Sequence, residues 1–150
     1  MIEIRLDEGN VRSVLIRLSN KQAVQALVNA AAESYTDDVL DYVASGRSFK
    51  NHTGQLEQSI GWHGNNNGTA TVFANAKYAP FVEFGTRPHV IRPKPGRNSL
   101  RFFIGGRFIV RRSVNHPGGK PYPFFYNNQT QRMQNIQTAA LSVLARLASA

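Results

Sequence analysis

The chain contains no cysteine in its 150 residues, which excludes a disulfide, a thiol nucleophile and a cysteine-based zinc site. That absence is compatible with a reducing cytoplasm. No carboxylate follows Glu83. No window of 18 apolar residues exists, so no spanning helix is expected and no membrane partner. The opening Met1-Ile2-Glu3-Ile4-Arg5-Leu6-Asp7-Glu8 alternates apolar and charged residues and does not read as a signal peptide. There is no internal repeat, no glycine-rich phosphate loop of the Walker or Rossmann type, and no nucleophile elbow.

The missing carboxylates make the charge one-sided. Up to Thr86 the chain carries seven basic and nine acidic groups, a net of −2. The 64 residues after Thr86 carry eleven Lys or Arg, and the whole chain is +9. Nine of those eleven cations lie at 87–120. A segment so charged repels itself until something outside neutralises it, which points to a polyanion or an acidic protein surface.

Apolar spacing sets out the elements. Ile2, Ile4 and Leu6 alternate as in a short half-buried strand. Val11, Val14, Leu15 and Leu18 follow helical spacing, with a strand through Val14, Ile16 and Leu18 as the competing reading. From Ser19, an N-cap candidate, a stripe of Val24, Leu27, Val28, Ala31, Tyr35, Val39, Tyr42 and Val43 predicts a helix that ends near Ser45 with Gly46 as its stop. At 27 residues it would be about 40 Å long, long enough for another subunit to cover part of it. Thr53 is placed to cap a short helix; strands are expected at 60–63 and 69–75 around an Asn/Gly turn. A helical turn or two is expected from Ala79, with Pro80 tolerated in its first turn.

Residues 85–125 hold six of the seven prolines and six of the twelve glycines. Within them, strand-like runs at 100–104 and 107–112 flank Gly105-Gly106, a hairpin signal, between flanks that read as extended loops. Asn127 or Asn128 is placed to cap a last helix whose apolar stripe is Met133, Ile136, Ala140, Val143, Leu144 and Leu147, packing on the long first helix. These elements predict an α+β fold. One small antiparallel sheet is packed by a long N-terminal helix and a C-terminal helix. The chain is read as a single domain, 1–150, with 87–120 as a basic hairpin or loop insertion.

Catalysis finds little support in these residues. His52, His63, His89 and His116 lack the helical spacing of a metal site, and two of them sit among cations. They read as ordinary hydrogen-bonded or exposed histidines. Metal-dependent nuclease chemistry wants more than one carboxylate, and the basic half has none. No enzyme activity, cofactor or metal is expected. Glu83, between apolar residues, reads as a part-buried carboxylate that needs a partner, with Arg87 and Arg92 close in sequence. Gly85 reads as a backbone position that other residues resist. The basic hairpin, through Arg92, Lys94, Arg97, Arg101, Arg107, Arg111 and Arg112, has two readings. One is contact with DNA phosphates without base reading; the other is docking on an acidic partner protein. Phe102, Phe103 and Phe108 interleave with the cations in a pattern that suits core packing as well as base stacking.

Three motifs occur in order. They are Thr53-Gly54-Gln55-Leu56 with Ser59-Ile60, then Tyr78-Ala79-Pro80-Phe81-Val82-Glu83-Phe84-Gly85-Thr86, then His116-Pro117-Gly118-Gly119-Lys120-Pro121-Tyr122-Pro123-Phe124-Phe125. In this series the chain resembles the tail-completion, or head–tail joining, family of long-tailed bacteriophages. The stretch 87–112 resembles that family's basic insertion. The chain departs from the family pattern in placing Tyr122 between two prolines and in a last helix that starts rich in Gln and Asn. The resemblance implies a structural virion protein of the phage neck, present in host cytoplasm during assembly. It implies a ring, commonly of six copies, that meets connector and tail-terminator or tail-tube proteins, with DNA in its channel. Thr53, Gly54, Leu56, Tyr78, Glu83, Gly85, Thr86, His116, Pro117, Gly118, Pro123 and Phe124 would be its structural and interface positions. Six copies would carry roughly +54, a charge that DNA or acidic neighbours must offset. A tail terminator and a free non-specific DNA-binding protein are the alternatives.

Overall fold

A 24-residue helix, α1 (Lys21–Ala44), is the shared element of the first of two units. A computed structural model of the chain describes residues 20–47, 49 and 53–149. The strand expected at 2–6, the helix or strand at 11–18, the cap at Ser19 and His52 lie outside the described residues. One unit gathers the described residues up to Ala79 with those from Phe124 onward; the other is Pro80–Pro123. Among the described residues no helix is long and apolar enough to cross a membrane.

The cap of α1 is Asn20, whose side chain accepts the Gln22 N–H at 2.9 Å. That satisfies one of the donors a helix start leaves open. The helix ends as expected, with Ser45 as its C-cap and Gly46 at φ 66°. Ala23, Ala32, Thr36, Val39 and Val43 are its buried residues. The stripe read from spacing is therefore right at Val39 and Val43 and displaced elsewhere toward small residues. Thr36 is tolerated inside because its hydroxyl donates to the Ala32 carbonyl at 2.7 Å.

Helix α2 (Gln55–Ser59) follows, and its N-cap is Gly54 at φ 68°, with no side-chain cap; Thr53 is exposed. The expected Thr53 cap is thus replaced by a backbone turn that only glycine makes cheaply. Leu56, on α2, is 1 % exposed and among the largest fully buried side chains. Strands β1 (Ile60–Gly64) and β2 (Ala70–Ala74) pair antiparallel, Ile60 opposite Ala74. Gln25 of α1 clamps their turn: it accepts from the Gly68 N–H at 2.9 Å and donates to the Thr69 carbonyl at 3.1 Å. Helix α1 packs against this hairpin and against the C-terminal helix, so it carries the core on two sides.

The second unit starts with α3 (Ala79–Phe84), which holds Pro80 in its first turn as predicted. Its strands are β3 (His89–Ile91), β4 (Leu100–Ile104), β5 (Arg107–Arg111) and β6 (Val114–His116). The chain closes in the first unit with α4 (Gln129–Ser149). The α+β class, antiparallel strands with N- and C-terminal helices, is borne out; in place of the one small sheet expected, the strands among the described residues form three two-stranded ladders, because each pairs only within its own hairpin or nested arm.

On α4 the buried residues are Val143 and Arg132, while Met133, expected in the stripe, is 53 % exposed. Arg132 takes the inward position because it has partners there. One guanidinium nitrogen donates to the Phe124 carbonyl at 2.8 Å and the other to the Phe125 carbonyl. Its Cζ lies 5.1 Å from the centre of the Tyr35 ring, and the Tyr35 hydroxyl donates to the same Phe125 carbonyl at 2.5 Å. The last motif therefore ends in the helical unit, with Phe124 buried to 1 % and its following carbonyls held by α4 and α1.

Candidate functional site: a cation-bearing arm

The Pro80–Pro123 unit is organised as one nested hairpin. At its root Thr86 and Gly119 exchange backbone hydrogen bonds of 3.0 and 3.1 Å, and the Thr86 hydroxyl accepts the Gly119 N–H at 2.7 Å. Two glycines make this closure possible. Gly85 has φ 71°, and a Cβ there would lie 2.5 Å from the Gly119 carbonyl oxygen. Gly118 has φ 88°, and a Cβ there would strike the Thr86 carbonyl oxygen. Neighbouring Glu83 is buried, whereas Arg87 and Arg92, the cations expected to meet it, are exposed.

Above the root, β3 pairs with β6, so that His89 stands opposite His116. Their rings stack with centroids 5.0 Å apart. The His89 Nδ1 lies 2.9 Å from the Arg87 carbonyl, and the His116 Nδ1 accepts the Gly118 N–H at 3.1 Å. These contacts correct the reading of the flanks as plain extended loops. Three-residue strands bounded by prolines give no alternation long enough to read.

The arm ends in β4 and β5, joined by Gly105 (φ 57°) and Gly106 (φ 81°). Both residues have the sign of φ that a two-residue type I′ turn requires. Pairing places Arg101, Phe103, Phe108 and Val110 on one face, and Leu100, Phe102, Ile104, Arg107, Ile109 and Arg111 on the other. Arg101 lies 4.2 Å from the centre of the Phe108 ring, and Phe108 meets Phe103 edge to face at 5.1 Å. Phe103, Ile104, Phe108 and Val110 are each more than half exposed. The aromatic residues at the tip therefore do not form a core; Phe102 alone of the three is half-buried.

All seven cations singled out in the sequence, Arg92, Lys94, Arg97, Arg101, Arg107, Arg111 and Arg112, are exposed on this arm. The structure brings Glu83, Gly85, Thr86, His116, Pro117 and Gly118 to one unit. Thr53, Gly54, Leu56, Tyr78 and Phe124 lie in the other, and Pro123 ends the arm's unit. Sequence reasoning missed Arg132 as a structural residue. The signal available was its place one turn before Ile136, in line with the apolar stripe.

Residues 14–85, just under half of the chain, match the family model described as "Bacteriophage HK97-gp10, putative tail-component". Over that stretch the chain is similar to a phage tail-component family. The phage tail and neck resemblance read from the motifs is borne out. The match takes in the first motif and nearly all of the second, and stops where the arm begins. No curated protein and no solved structure matches the chain. A phage tail component has its place in the virion, among other virion proteins.

Since the arm's cations stand clear of any core, the triple variant Arg107→Gln, Arg111→Gln, Arg112→Gln should keep the parent's fold. Exposed substitutions of this kind change stability by about 0.5 kcal/mol or less each. Thermal melts should then agree within roughly 5 °C. A much larger drop would make these arginines structural.

Proposed function

We propose that the chain is a tail-completion, or head–tail joining, subunit that forms a ring between the phage tail and the head connector. The observation that carries this reading is the arm: nine cations and no carboxylate at 87–120, on a hairpin whose aromatic tip is exposed. The family match adds the tail itself. A charged, apolar-tipped arm is unfavourable on a free monomer and favourable at an interface, where Arg and aromatic residues dominate binding. The role asks for structure and contact, with no catalytic step.

A closed ring of identical copies uses a heterologous contact, one surface of each copy meeting a different surface of the next. Six copies of 16.7 kDa would give roughly 100 kDa. Sedimentation of the purified chain, alone and with its neck neighbour, is expected to show this species. A chain that remains a monomer in both cases, yet shifts DNA with a steep salt dependence, would instead favour the free DNA-binding reading.

The terminator alternative predicts a similar ring, so particle morphology must separate the two. Loss of a completion subunit should leave tails of normal length unjoined to heads. Loss of a terminator should leave tails of uncontrolled length. Electron micrographs of particles made without this chain decide between them.

A further inference from the structure

Resting on the ring reading, we infer that the arm of one copy docks on the acidic stripe of α1 of the next copy. Glu33, Asp37 and Asp41 recur every four residues and so line one side of α1 on successive turns. All three are exposed, and α1 has no basic residue after Lys21. Among the described residues none of the three forms an ion pair. Asp38 beside them is occupied differently, accepting from the Asn135 amide at 2.8 and 3.0 Å. Arg146 of α4 lines the same groove, but its Nε–H points to the Ser142 carbonyl at 3.4 Å. Like charges one turn apart destabilise a helix, so the stripe gains from cations brought to it.

The exposed surface that fits this stripe is the arm's, where Arg111 donates to the carbonyl of its neighbour Val110 at 3.0 Å. Arg107 and Arg111 project from one face of β5, four residues apart. At the rise of a strand that is about 13 Å. Glu33 to Asp41 spans eight helical residues, about 12 Å. Two guanidiniums can thus meet the two ends of the stripe together, and guanidinium–carboxylate pairs are strong when water is excluded. Ile104, exposed on the same face and paired with Arg107, supplies an apolar contact that helps exclude it. Each copy carries both surfaces, and the charged residues of each are exposed. A second copy of this chain is therefore the occupant, and the contact runs from one copy to the next, as ring closure requires.

The chain's lack of cysteine supplies a direct test. Glu33→Cys, Asp41→Cys and Arg107→Cys are made as separate full-length proteins, and each of the first two is mixed with the third and oxidised. A disulfide-linked pair is expected in one of the two mixtures at least tenfold above either protein alone. Charge reversal gives the second measurement. Glu33→Arg, Asp37→Arg, Asp41→Arg in one protein should abolish assembly in sedimentation at low salt. Arg107→Glu, Arg111→Glu, Arg112→Glu in another should do the same. Mixing the two should restore association. A ring that forms in both triple variants, with no cross-link in either mixture, overturns the contact and leaves the ring standing. A wild-type chain that stays monomeric at every concentration, with no cross-link in either mixture, removes the ring and this contact with it.

Discussion

Arg132→Ala should lower the melting temperature by about 10 °C. The side chain is 3 % exposed and satisfies the carbonyls of Phe124 and Phe125 from α4. Removing it leaves two acceptors inside the helical unit without their charged donor, at a cost of roughly 1–3 kcal/mol each. It also removes the stacking on Tyr35. A loss of about 3 kcal/mol in a chain of this length corresponds to the shift stated. Arg132→Lys should recover only part, because an ammonium cannot present two parallel donors to two carbonyls. Chemical denaturation of the three proteins checks the order. Equal stability of Arg132→Ala and the parent would mean that the guanidinium's burial costs as much as its hydrogen bonds return.

Gly85→Val should open the root of the arm. The position has φ 71°, which a β-branched residue resists by more than the 1–2 kcal/mol typical of left-handed backbone. Its Cβ would also lie 2.5 Å from the Gly119 carbonyl oxygen and 2.9 Å from the Pro121 nitrogen. Both are backbone atoms of the opposing segment and cannot rotate aside. Relief requires breaking the Thr86–Gly119 pair, so the amides of both residues should lose protection from hydrogen exchange about 100-fold or more. Gly96→Val is the matched control. Its φ is 83°, but a Cβ there meets nothing within 4 Å, so only the conformational cost applies. If the two variants lose protection at Thr86 and Gly119 equally, close approach at the root is not what requires Gly85.

Much of this architecture was legible wherever a feature is local in sequence. The hairpin at Gly105-Gly106 was readable because alternation and two glycines lie within twelve residues, and strand pairing gives Ile104 opposite Arg107 as that turn demands. The long helix was readable from periodicity over six turns, although its cap moved from Ser19 to Asn20. Both residue types cap helices, so spacing alone does not choose between neighbours. Features that depend on distant partners were not legible. The stack of His89 on His116 joins residues separated by the whole outer part of the arm, and neither flank looks like a strand. Arg132 is hidden for the opposite reason. A charge on a helix reads as solvent-facing until carbonyls from another segment are seen to meet it.

Sequence by itself determined the charge division, the three motifs, the type and order of the main elements and the glycine-turned hairpin. These follow from composition, periodicity and turn chemistry, which act over a few residues. Tertiary structure alone decided which cations are free and which is buried. It set the tip phenylalanines in solvent and closed the arm at Thr86 and Gly119. Exposure, pairing and desolvation are properties of segments brought together from far along the chain, and no local pattern encodes them.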